Sequence, residues 1–205
     1  ACNELLRMTL GEPYLRGNGE ALRRFVHRMK RKVLSLLLSV CEVIDLSSFN
    51  APEDNKAYTF AMGSNKTITL KSNGAEIQNV AFVFGTNNNI TIENLNIKTA
   101  DNHVDCDDSN KKGYSPLHFT GLGNNLTLVG ENTLTSGQTS NTKDYGAAVG
   151  VPFGAGLTIT AASTTDVLTA IGGACSTGIG GGNFRASGTI TINGGTVTVE
   201  GSRVT

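Results

Sequence analysis

Tryptophan is absent from this chain, and aromatic residues make up only 6% of it. A binding surface built on stacked indoles is therefore excluded, and exposed aromatic platforms of any kind must be few. Charge is scarce as well: 17 Lys and Arg balance 17 Asp and Glu over 205 residues. No basic stripe with interleaved aromatics runs along residues 46–205, which argues against a nucleic-acid partner. Residues 1–45 hold eight basic and five acidic side chains against nine and twelve in 46–205, a tilt too mild to require a polyanionic partner or to exclude one. The four cysteines, Cys2, Cys41, Cys106 and Cys175, are too scattered for a disulfide framework. With Cys2 and Cys41 assigned to the N-terminal segment, a Cys106–Cys175 bridge is the pairing that stays open. His103 and Cys106 have the spacing of half a zinc site, with no second half to complete it. Long apolar runs are missing too: Val33 to Val40 is too short to cross a bilayer, so no integral membrane segment is expected in the mature chain.

What is present is a recurring phrase, aliphatic, Thr, aliphatic. It stands at Ile68-Thr69-Leu70, Ile90-Thr91-Ile92, Leu126-Thr127-Leu128, Leu157-Thr158-Ile159 and Ile190-Thr191-Ile192, at intervals of 22, 36, 31 and 33 residues. Each phrase is a short strand with its aliphatics on one face and its Thr on the other. Further short strands fall between the anchors, among them Val80 to Phe84, Leu117 to Phe119, Thr133 to Thr135 and Val197 to Val199. A β-sandwich also offers many short strands, but it does not require the same phrase at the same point of each cycle. Stacked coils do, because equivalent residues then lie about 4.7–4.9 Å apart and like side chains form columns. The expected fold is all-β, a right-handed parallel β-helix of about five coils over residues 46–205. Phe60, Phe82, Phe84 and Phe119 are expected in its core.

Glycine clusters toward the end, 14 of 25 lying between positions 146 and 201. Gly178-Ile179-Gly180-Gly181-Gly182 could be taken for a phosphate cradle, but no Lys-Ser/Thr follows it and no helix opens there. Tight coil corners explain these glycines better.

Residues 1–45 differ in kind. Met29-Lys30-Arg31-Lys32 followed by Val33 to Val40 has the order of a secretory signal, giving a signal peptide over 29–45. The same stretch has Leu22, Phe25, Val26, Met29, Val33, Leu36, Leu37 and Val40 at helical spacing, so a short helix capping the solenoid is the competing expectation. A small-x-small cleavage site is missing, and Val40 spoils a lipoprotein site at Cys41. Residues 1–28 are expected to be translated upstream DNA. At the other end the repeats run to Thr205 without a polar cap, and the protein is expected to continue past it.

Three surfaces are candidates for function. Asp101, Asp105, Asp107 and Asp108 crowd one loop, where like charges repel unless solvated or bound to a cation such as calcium. The EF-hand template fails there, since Asn110 stands where Gly is needed and Pro116 where the bidentate Glu belongs. Tyr114 and Tyr145 lie in polar loops and are the candidate carbohydrate-binding aromatics. Thr69, Thr91, Thr127, Thr158 and Thr191 would align as an exposed column, a surface that could order water as ice-binding solenoids do or simply reflect the strand preference of Thr.

The signal-like stretch from Met29, together with Ser176-Thr177-Gly178-Ile179-Gly180-Gly181-Gly182 and Gly188 through Thr198, resembles secreted parallel β-helix repeat proteins of Gram-positive bacteria, pectin-lyase-like surface proteins including ones of carbohydrate-binding-domain type. The resemblance implies a secreted or cell-surface module that binds polysaccharide or cell-wall glycan or acts in adhesion. A lyase or hydrolase is the alternative, and a non-catalytic stalk a third. The layout from Ile90 to Asp105 is similar to the polygalacturonase family, but that family's paired-Asp coil, Gly-His-Gly and Arg-x-Lys have no counterparts. Acid and base carboxylates must flank the scissile bond from defined positions, and one acidic loop does not supply them. An enzyme is therefore not the favoured expectation.

Overall fold

The computed structural model describes residues 43–49, 58–99, 115–137, 146–174, 176–182 and 186–202. Among these it is all-β, without a helix. The strands in chain order are β1 (Val43–Asp45), β2 (Tyr58–Gly63), β3 (Thr67–Lys71), β4 (Glu76–Gln78), β5 (Val80–Phe84), β6 (Asn89–Glu93), β7 (Asn96–Lys98) and β8 (Leu117–Phe119). They continue with β9 (Asn124–Val129), β10 (Glu131–Thr135), β11 (Val149–Gly150), β12 (Gly156–Ala161), β13 (Val167–Ala174), β14 (Ile179–Gly180), β15 (Thr189–Ile192) and β16 (Thr196–Ser202).

These strands form three parallel sheets. Sheet A has the order β1-β3-β6-β9-β12-β15, sheet B β14-β11-β8-β5-β2 and sheet C β16-β13-β10-β7-β4. Every third strand therefore returns to the same sheet, and from β2 onward the chain makes five three-stranded coils. A sandwich of antiparallel sheets is ruled out, because each named strand pairing is parallel. Sheet A begins with β1, inside the stretch expected to belong to the N-terminal segment. The helix and signal expected before it, up to residue 42, lie outside the described residues.

The aliphatic positions of the recurring phrase face inward. Ile68, Ile90, Leu126 and Ile159 stack in register, as do Ile44, Leu70, Ile92 and Leu128, and all are buried. On sheet B the inward rings form a stack. Phe60 and Phe82 have centroids 5.6 Å apart, Phe84 and Phe119 5.3 Å, and all four phenylalanines are buried as expected. Burying each such side chain contributes about 1.5–3 kcal/mol.

Polar side chains close the corners. Between sheets B and A, Asn88 lies under Asn124, whose Oδ1 accepts from both the Asn88 backbone N–H and Asn88 Nδ2 at 3.1 and 2.9 Å. Asn124 Nδ2 in turn donates to the carbonyls of Gly85 and Gly121. Between A and C, Asn132 accepts from the Leu95 N–H and donates to Val129 and Val167 carbonyls. Backbone groups that must turn out of the ladder are thus satisfied by side chains rather than water.

Candidate functional site

Outward positions of sheet A include two long rows that cross the strands. In one, Thr69, Thr91, Thr127 and Thr160 are in register, with Val43 at the head. In the other, Thr67, Asn89, Asn125, Thr158 and Thr191 are in register. The Thr positions expected to align are divided between these two rows. Thr69, Thr91 and Thr127 stack together, but Thr160 takes the next place, and Thr158 with Thr191 belongs to the neighbouring row. The cause is at the corner: Leu157 fills the inward position that Asn124 holds one coil earlier, which sets β12 two residues along from the phrase-to-phrase alignment. A two-residue step keeps every side chain on its own face, so both rows remain outward.

Hydrogen bonds run along these rows. Asn125 Nδ2 donates to Asn89 Oδ1 at 2.9 Å, and the hydroxyls of Thr127 and Thr160 lie 3.3 Å apart. Thr69, Thr91, Thr127, Thr158 and Thr160 are half-buried between their neighbours, whereas Thr67, Asn89, Asn125 and Thr191 are exposed. Neither row carries a charge. Charge enters only in the third row, Asp45, Lys71 and Glu93, at the early edge of the sheet. There Lys71 Nζ lies 3.7 Å from Asp45 Oδ2. Burial pushes the Asp45 carboxyl up, but the Ser47 hydroxyl and N–H together with Lys71 outweigh it, and the carboxyl ends below its ordinary value.

The corner between sheets B and A borders this face and exposes two large apolar residues, Leu122 and Phe153, at 60% and 83%. The candidate aromatics named from the sequence do not include Phe153. Its signal is its setting, Pro152-Phe153-Gly154, a phenylalanine inside a turn sequence rather than in strand alternation.

Sheet C presents an outward row headed by a charge, Glu76, Asn96, Thr133, Thr169 and Thr198, flanked by the mixed row Gln78, Lys98, Thr135, Ile171 and Glu200. On the outward side of sheet B, His118 lies against Gly150, where an added Cβ would collide with His118 Nδ1 and come within 2.7 Å of Ser115 Oγ. Glycine at 150 leaves the space that the imidazole occupies.

Asp101, Asp105, Asp107, Asp108, Tyr114, Tyr145, Cys106 and Cys175 lie outside the described residues. Among the described residues no three His, Cys, Asp or Glu side chains gather as a metal site would need, and no helix is long and apolar enough to cross a membrane. No family model matches this chain, and no match emerges among curated proteins or solved structures.

Proposed function

We propose that this chain is an extracellular or cell-surface β-solenoid module that binds polysaccharide. The coil is taken as right-handed, the sense of about 98% of parallel crossovers. The observation that carries the proposal is the outward face of sheet A. Two adjacent rows of uncharged hydroxyl and amide groups repeat at one strand spacing, about 4.7–4.9 Å, over four strands in one row and five in the other. A linear glycan laid along the solenoid axis offers hydroxyls at a repeat of comparable length, so that many weak hydrogen bonds act together. Such multivalency supplies affinity that no single Thr or Asn can. Retention on insoluble polysaccharides tests this: the chain should be held saturably, and holding should persist near 1 M salt, where charge interactions are screened beyond about 3 Å. Absence of retention on a broad panel of neutral and acidic glycans would refute it.

A further inference from the structure

We infer that Phe153 and Leu122 form an apolar sugar-stacking subsite at the edge of the sheet A rows, and that its ligand is a neutral glycan. The inference rests on the glycan-binding reading above and adds where a sugar ring sits and which class of glycan fits.

Phe153 stands apart from the other large phenylalanines. Phe60, Phe82, Phe84 and Phe119 are buried to 2% or less, whereas Phe153 is 83% exposed. Its backbone is nonetheless fixed. The Phe153 N–H donates to the Ala186 carbonyl at 2.9 Å, the Ala155 N–H to the Pro152 carbonyl at 2.9 Å, and Pro152 bridges to Ser187. Gly154 takes a left-handed φ of +84° that lets the chain turn back into β12. A corner held in this way removes the backbone part of the ordering cost when the ring binds.

Leu122 occupies the same corner one coil earlier, and the Gly156 N–H donates to the Gly121 carbonyl at 3.1 Å to stack the two turns. Leu122 Cδ2 lies 3.1 Å from where a Cβ on Gly156 would stand. Gly156 is outward like Thr158, two residues along the same strand, so the leucine lies on the edge of the hydrogen-bonding face. Apolar surface next to Thr158 and Asn125 matches a pyranose, whose ring face is apolar and whose rim is hydroxylated. Residues 121–125 and 152–160 contain no charged side chain. Neither of these two turns brings a cation of its own to offset the desolvation of an acidic glycan.

Titration calorimetry with soluble β-glucan, xylan, mannan and chitin oligosaccharides, and with polygalacturonate, tests this on the whole chain. At least one neutral glycan should bind, Phe153→Ala should weaken it by about tenfold, and Thr133→Val/Thr169→Val on sheet C should leave it unchanged. Phe153→Trp should retain binding and, as the lone tryptophan of the chain, shift its emission to the blue on saturation. Unchanged melting temperatures show that the variants fold. Glycan binding that survives Phe153→Ala, with the emission of the Phe153→Trp variant unmoved, would overturn the subsite while leaving the wider proposal standing. Preference for polygalacturonate would overturn the neutral class, and no binding to any glycan would remove both.

Discussion

Asn124 shows how a single side chain can fix a corner. It makes four hydrogen bonds, two accepted from Asn88 and two donated to the Gly85 and Gly121 carbonyls, in a site 1% exposed. Replacing it with Ala strands those partners in the interior, and a loss of about 3 kcal/mol is expected by urea denaturation. Asn125→Ala, one residue on but outward and exposed, should change stability by no more than about 0.5 kcal/mol. From sequence alone the two asparagines are indistinguishable boundary residues. Only the direction each takes at the corner separates a ladder residue from a surface one.

Asp45 gives a pH-dependent counterpart at the same scale. Its folded-state carboxyl is depressed although burial works the other way, because Ser47 and Lys71 favour the charged form. A depressed carboxylate contributes stability that is full above the unfolded-state pKa of about 3.9 and is lost as pH falls from there through the lower folded value. Asp45→Asn should therefore reduce the acid-limb slope of stability against pH in that window and leave the slope at neutral pH unaltered. Melting temperatures across an acid series measure it, and an acid limb identical to that of the parent chain would contradict the assignment.

At the scale of the element, the coil is largely legible in the sequence. Ile68, Ile90 and Leu126 stack because the strand period of two puts alternate aliphatics on one face, and that period can be read without coordinates. The register of β12 cannot be read in the same way. Leu157-Thr158-Ile159 and Ile159-Thr160-Ala161 are alternative matches to the same phrase two residues apart, and periodicity cannot choose between them. The choice is made by the corner, where Leu157 replaces the inward asparagine. β1 and β4 escape a reading of the sequence because each turns a single aliphatic inward, Ile44 and Ile77, whereas β8 of equal length turns two, Leu117 and Phe119. The candidate site is less legible still: outward Thr residues are recognisable, but Phe153 and Leu122 acquire meaning only when successive corners are stacked.

Inward columns also grade along the axis. Leu126 is fully buried, whereas Ile192, in register with Ile159 on the last described coil, is 49% exposed. Leu126→Ala should cost about 2–5 kcal/mol through transfer and cavity terms, and Ile192→Ala less than about 1.5 kcal/mol because half its surface already meets solvent. Equal losses in denaturant titrations would show that β15 packs as an interior strand.

For the whole molecule, the consequence is a stack in which each coil is stabilised chiefly by its neighbours. β9 lies between β6 and β12, while among the described strands β15 and β16 each pair on one side. Amide exchange should accordingly be slowest in β6, β9 and β12 and faster in β15 and β16. The same stacking that builds the core from identical columns creates the outward rows of sheet A, so fold and proposed function share one cause: repetition at a single strand spacing.

Mapping amide shifts by nuclear magnetic resonance, on titrating the chain with a neutral oligosaccharide that it retains, tests that claim most directly. Shifts are predicted to follow the two rows from Asn89 and Thr91 through Asn125, Thr127, Thr158 and Thr160 to the corner at Leu122 and Phe153. Shifts confined to sheet C or to the His118 face of sheet B would contradict it.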